Sequence, residues 1–206
     1  MIRRLAMDPR KLLAIPAFYS LFRKFIGRDS VRRQYAESHI RAKVGQHVLD
    51  IGCGTGDILD FLPDVDYVGF DIDPDYIRAA QQRYGSRGTF FCEPVGEGMN
   101  ASAASFDIVI AHGLLHHLDD EEAIALFRIA RKALKPGGRL ITFDGCFSDD
   151  QSRLSRFFVS RDRGRHVRRR EAYEALALTA FDRVKVAIRH DLVRIPYTHI
   201  IMECMA

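Results

Sequence analysis

The sequence predicts an α/β fold, a doubly wound sheet with helices on both faces, and three stretches carry that prediction. Residues 48–57 (Val-Leu-Asp-Ile-Gly-Cys-Gly-Thr-Gly-Asp) are an apolar run closed by an acid, with glycines at every second position after it. Residues 66–74 form a second apolar run ending in Asp71, followed by Asp73-Pro74. Residues 105–122 hold a third run, Phe106 to Ala111, then a Leu-His-His-Leu loop and a cluster of acids. Apolar runs this short and this continuous are the pattern of strands buried on both faces of a parallel sheet.

The first stretch reads as a strand entering a tight glycine turn that opens a helix over 57–62. Glycine lacks Cβ, so such a turn lets a ligand lie against bare backbone. The dinucleotide fingerprint G-x-G-x-x-G places a pyrophosphate on the helix N-terminus. Here the third glycine, Gly56, comes one residue early, and Asp57 fills the slot. Acids near the turn, Asp50 among them, suit a cationic ligand better than a pyrophosphate. The second strand ends at Asp71, an acid able to accept hydrogen bonds from both hydroxyls of a ribose. Asp73 reads as the N-cap of a helix over 74–84, with Pro74 at its first position.

Gly88 to Cys92 reads as a short third strand. After the 106–111 strand, Asp119-Asp-Glu-Glu122 opens a helix with Ile124, Phe127, Ala130 and Leu134 on one face and basic residues in its second half. Pro136-Gly137-Gly138 stops it. Arg139 to Phe143 is the next strand, ended by Asp144. Residues 146–168 are mixed, a helix follows over about 169–180, and Phe181–His190 and Arg194–Glu203 alternate like two closing strands. A further helix is expected from Ser30 to Ala42.

Together these motifs resemble the class I S-adenosylmethionine-dependent methyltransferases, over about residues 44–144. The glycine turn matches the family's first motif, Asp71 its ribose acid, F-D-I-V-I its fourth strand and K-P-G-G its late motif. The resemblance implies a Rossmann-like doubly wound seven-stranded sheet, mostly parallel with the last strand antiparallel. It implies S-adenosyl-L-methionine as cofactor and S-adenosyl-L-homocysteine as product. The cofactor site would comprise Asp50, Gly52, Cys53, Gly54, Gly56, Asp71, Ile72, Glu93 and His112; Pro94 departs from the family's commoner residue beside the adenine. Cys53 reads as a small residue that fits the turn.

The whole chain reads as one domain: an N-terminal helical lid (1–43), a cofactor-binding core (44–144), and a substrate-lid segment with a closing hairpin (145–206). Its 206 residues can bury a sizeable core, and 47% hydrophobic with 28% charged content is ordinary for a globular protein. Cys53, Cys92, Cys146 and Cys204 lie far apart, neither a zinc pattern nor a disulfide framework, so a cytoplasmic setting is expected. No metal-ligand spacing appears.

The N-terminus has two readings. Phe18, Tyr19 and Phe22 belong to a lid over the cofactor, with Tyr19 touching substrate, or a basic amphipathic helix lies on a membrane surface. The second concentration of charge is Arg153, Arg156, Arg161, Arg163, Arg165, Arg168, Arg169 and Arg170, against a single acid, Asp162. An anionic substrate held by Arg163 and Arg165, nucleic acid, or a solvated helix face would each explain it. Few aromatics interleave with the arginines, which weakens stacking on single strands as a mode of binding.

Methyl transfer from a sulfonium needs mostly orientation; a hydroxyl acceptor also needs a base, usually histidine. His116, His117 and His199 are the catalytic candidates, and Asp144 and Tyr197 candidates for substrate contact. The expected activity is methyl transfer to a small molecule, at oxygen, with an anionic acceptor; no obligate protein partner is implied. RNA or membrane-lipid methylation, a nucleotide-binding oxidoreductase, and a binding protein without turnover stay open.

Overall fold

The computed structural model describes residues 29–95 and 104–206. Seven strands form one continuous sheet in the order β3-β2-β1-β4-β5-β8-β7. They are β1 (His47–Ile51), β2 (Asp66–Asp71), β3 (Gly88–Cys92), β4 (Phe106–His112), β5 (Leu134–Phe147), β7 (Arg183–Arg189) and β8 (His199–Met205). Strand β8 runs antiparallel to both β5 and β7, and the pairs among β1 to β5 are parallel. An eighth strand, β6 (Arg168–Arg169), adds two residues beside the end of β5. It was not expected, and it arises where the arginine-rich segment returns to the sheet.

The continuous runs form strands because both faces of the sheet are covered. On β1, Val48 packs into one core cluster and Leu49 and Ile51 into the other. One face carries α3 (Asp120–Ala133) and α5 (Arg170–Ala177), whose Phe127 and Tyr173 are fully buried. The other carries α1 (Asp29–Tyr35), the π turn 36–40, the 3-10 turn 57–61 and α2 (Pro74–Tyr84), with Ile40, Leu59 and Tyr84 in its core.

Helix starts follow their caps. The Asp73 carboxylate accepts from the backbone N–H of Asp75 and Tyr76 at the head of α2. Asp119 and Glu122 form a reciprocal capping box at α3.

The helix expected over 57–62 is the 3-10 turn Asp57–Phe61, the helix expected over about 169–180 spans Arg170–Ala177, and the strand expected from Phe181 begins at Arg183. Three further boundaries differ more widely from the sequence reading. Helix α3 ends at Ala133, and β5 already begins at Leu134, which pairs with Phe106. Lys135 to Gly138 then bulge out before Arg139 pairs with Ile108, because Lys135 is drawn to the Asp107 carboxylate at 2.8 Å. The segment expected to be helical to Ala42 closes instead in the π turn, and Arg41 takes a left-handed conformation there. Strand β8 begins at His199 rather than Arg194. Residues 190–198 turn aside because the Thr198 hydroxyl bonds the side chains of Gln151, Ser155 and His190, and Pro196 has no N–H to give a ladder.

Candidate active site

In a doubly wound sheet, ligands bind beyond the carboxyl ends of the strands where the strand order reverses. Here that point lies between β1 and β4, with β2 and β3 to one side and β5 to the other. Two groups of side chains meet there.

The first is the glycine turn. Gly52 N and Cys53 N both donate to the carbonyl of Phe70, which fastens the turn to β2. The Asp71 carboxylate accepts from Gly54 N at 2.8 Å and from Asp73 N at 2.9 Å. Each oxygen keeps a further lone pair, so it can still take a ribose hydroxyl. A Cβ on Gly54 (φ +55°) would meet nothing within 4 Å, so this backbone borders open space. Ile72 beside it is 75% exposed, an apolar surface of the kind an adenine covers. Glu93 is exposed just past β3.

The remaining candidates of this group turn inward. Asp50 is buried and takes the Tyr67 hydroxyl at 2.6 Å. Cys53 is buried, and burial followed by the Asp50 and Asp71 charges pushes its thiol far above the usual range. Gly56 packs against Phe90 and Tyr84. Asp57, read as an acid near the ligand, is buried and paired with Arg83 at 3.0 Å, so the turn's acidity rests on Asp50 and Asp71. Residues 48–57 and 66–75 contain no Lys or Arg. A pyrophosphate would meet carboxylates without a basic partner, whereas a sulfonium and an ammonium are complementary to them. The residues present therefore fit S-adenosylmethionine.

The second group surrounds His116, in the 3-10 turn Leu115–His117 after β4. Its Nδ1 lies 2.8 Å from Asp144 on β5 and its Nε2 3.3 Å from Asp162. Burial works to lower the His116 pKa, but the Asp144 hydrogen bond and the charges of Asp144 and Asp162 outweigh it, so the net shift is upward. Burial raises Asp144, against the opposing hold of His116. Both shifts point the same way: the pair keeps its proton to higher pH. Asp162 also accepts from the Tyr197 hydroxyl at 2.6 Å. His199 is buried, stacks on Phe143 at 4.6 Å and lies 4.7 Å from Tyr197. Burial brings its pKa down to about 3, so it is neutral.

His117 stands apart: it is exposed, with its ring 4.2 Å from that of His116. Burial, then the His116 charge, lowers its pKa. His112, expected at the cofactor, bonds the Tyr35 hydroxyl through Nε2 at 2.7 Å and packs near Phe143. Leu114 bridges the two groups, because a Cβ on Gly52 would lie 3.2 Å from it.

The arginine-rich segment divides in two. Arg168 donates to the carbonyls of Leu115, His166 and Leu118 and to the Asp120 carboxylate. Arg169 pairs with Asp149 and Arg170 with Glu174. Arg163 and Arg165 are exposed and take part in no ion pair among the described residues. Tyr19 and the lid of residues 1–28 lie outside the described residues.

Sequence reasoning missed Tyr35 and the role of Asp162. Asp162 carried a signal, since it is the single acid among the arginines. Tyr35 carried none. Among the described residues, no group of His, Cys, Asp and Glu could hold a metal ion, and no helix is long and apolar enough to cross a membrane.

Residues 48–138 match the methyltransferase domain family. The ubiquinone biosynthesis O-methyltransferase of Idiomarina loihiensis is 30% identical over 117 residues, covering 54% of this chain and 47% of that protein. Phosphoethanolamine N-methyltransferase 1 of Arabidopsis thaliana is 33% identical over 114 residues, 52% of this chain and 22% of that one. The chain thus spans about half or less of the length of these curated relatives. In fold it is similar to Haemonchus contortus phosphoethanolamine N-methyltransferase 2, solved with phosphomonomethylethanolamine and S-adenosylhomocysteine. That similarity has a TM-score of 0.66 at 20% identity, over 87% of this chain and 45% of that one. The sheet order, the glycine turn with Asp71 beside it and the family match agree: residues 48–138 of this chain are a methyltransferase domain of the class I S-adenosylmethionine-dependent type.

Proposed function

We propose that this chain transfers a methyl group from S-adenosylmethionine to a hydroxyl oxygen of a small, anionic molecule. The observation that carries the reading is a neutral, exposed histidine, His117, standing beside Asp162 and Arg163 at the rim of the switch-point crevice. When bound, S-adenosylmethionine supplies a methyl group already activated on a sulfonium. The protein then has to bind it, align the acceptor and remove one proton.

The residues divide that work. Asp71 and the Gly54 backbone hold the ribose end, and Asp50 and the turn lend negative potential. His117 is the base, because its lowered pKa keeps it unprotonated and its ring is exposed. His116, with both ring nitrogens on carboxylates, is a positioning residue. His199, with a pKa near 3, is too weak a base for the task and serves as a neutral wall beside Tyr197. Arg163 and Arg165 offer unpaired guanidinium forks to a carboxylate or phosphate on the acceptor.

The test combines acceptor screening with two variants. Labelled methyl should move from S-adenosylmethionine to hydroxylated acids and not to amines of similar size. His117→Ala should lower kcat by about 100-fold while S-adenosylhomocysteine affinity stays unchanged. Arg163→Gln with Arg165→Gln should raise the acceptor KM, with stability moving by less than about 0.5 kcal/mol. Transfer to amines alone, or full activity in His117→Ala, contradicts the reading. Cofactor binding without turnover on any acceptor would favour a binding role.

A further inference from the structure

We propose that helix α4 (Arg153–Ser160) docks this protein onto an anionic lipid surface. The helix is pinned by one face only. Ser152 caps it, Ser155 and Val159 are buried, and the Ser155 hydroxyl meets that of Thr198 at 2.7 Å. The opposite face is apolar yet open: Leu154 is 53% and Phe157 49% exposed. One helical turn apart, they form a short ridge.

The chemistry around the ridge names its partner. Arg153, Arg156 and Arg161 flank it, all exposed, and residues 151–161 contain no acid. Arg161 lies over one face of the Phe157 ring at 4.9 Å, which still leaves that side chain about half exposed, and Arg156 lies over Phe147 at 5.8 Å, so the guanidiniums sit immediately beside the open Leu154 and Phe157 surface. A row of cations level with an inserted Leu and Phe is the arrangement that binds the boundary of headgroup and acyl chain. Nucleic acid would use the arginines but gain nothing from burying Leu154. A protein partner gains from the ridge but has no general reason to carry three anionic groups around it.

The position gives the contact a consequence. Helix α4 follows the carboxyl end of β5, the strand whose Asp144 holds His116. The ridge therefore lies at the same end of the sheet as the switch-point crevice. Docking there would bring the crevice against the bilayer.

The full-length chain should be sedimented with vesicles of phosphatidylcholine, with vesicles that also contain phosphatidylglycerol, and with single-stranded RNA. It is expected to partition onto the anionic vesicles and much less onto the neutral ones. Leu154→Gln with Phe157→Gln should weaken that partition about tenfold or more, with circular dichroism and Tm unchanged. Partition that ignores this double change overturns the proposal, as does equal binding to neutral vesicles. RNA binding without vesicle binding overturns it too. Absence of vesicle binding together with a lowered Tm in the double variant would mean that apolar residues of this chain cover the ridge, and would also overturn it.

Discussion

Asp71 shows how much one carboxylate can organise. Its two oxygens accept the N–H groups of Gly54 and Asp73, so it ties the glycine turn to the head of α2 while facing the open crevice. Asp71→Asn keeps the size but sets an NH2 against one of those N–H donors. The expected outcome is a 10- to 100-fold loss of S-adenosylhomocysteine affinity, the scale of one or two charge-assisted bonds. Stability should fall by only about 1 kcal/mol. Calorimetry returning wild-type affinity would remove Asp71 from the cofactor site.

The loop 161–168 is the element that changes most between sequence and structure. As sequence it is a concentration of positive charge. In the fold its centre is a clasp on the turn that carries His116. Asp162 meets His116, His166 N donates to the His116 carbonyl, and Gly164 passes so close to the His116 ring that a Cβ would collide with it. Arg168 closes the clasp with its side chain only 9% exposed. Arg168→Ala takes a donor from the carbonyls of Leu115 and Leu118; the Leu115 carbonyl keeps the Leu118 N–H, while the Leu118 carbonyl loses its Arg168 partner, at a cost of about 1–3 kcal/mol for an acceptor left without one. A loss of about 1–3 kcal/mol in urea unfolding is expected, against little change for Arg163→Gln. Equal effects of the two changes would mean that the clasp does not form.

The contrast also explains what could be read beforehand. The glycine turn and the caps at Asp73 and Asp119 follow from neighbours in sequence, whereas the mostly parallel sheet with its antiparallel last strand came only with the resemblance to a family. The His116–Asp144 pair spans 28 residues, and the Asp162–His116 contact is longer still. The chain marks such contacts only as isolated polar residues. Tyr35 was invisible for the same reason: its partner His112 lies 77 residues away.

At the scale of the whole molecule, the two buried histidines give stability opposite dependences on pH. His199 has a folded pKa of about 3 because burial disfavours its charged form, while the unfolded value is about 6.5. As pH falls below about 6.5, the unfolded chain takes up a proton that the folded chain refuses, so stability declines on the acid side. His116 is the reverse. Its pKa is raised in the fold: burial opposes the charge, but the Asp144 bond and the Asp144 and Asp162 charges overcome it. Its contribution is complete below about pH 6.5 and disappears as pH rises through the folded value. The curve of Tm against pH should therefore peak near the ordinary histidine pKa. His199→Phe keeps an aromatic ring against Phe143 and removes the titration, so it should flatten the acid limb and spare the alkaline one. His116→Gln should lower the maximum and flatten the alkaline limb. Scanning calorimetry from acid to alkaline pH separates the two effects, and a His199→Phe curve parallel to wild type throughout would show that His199 is not buried as a neutral ring.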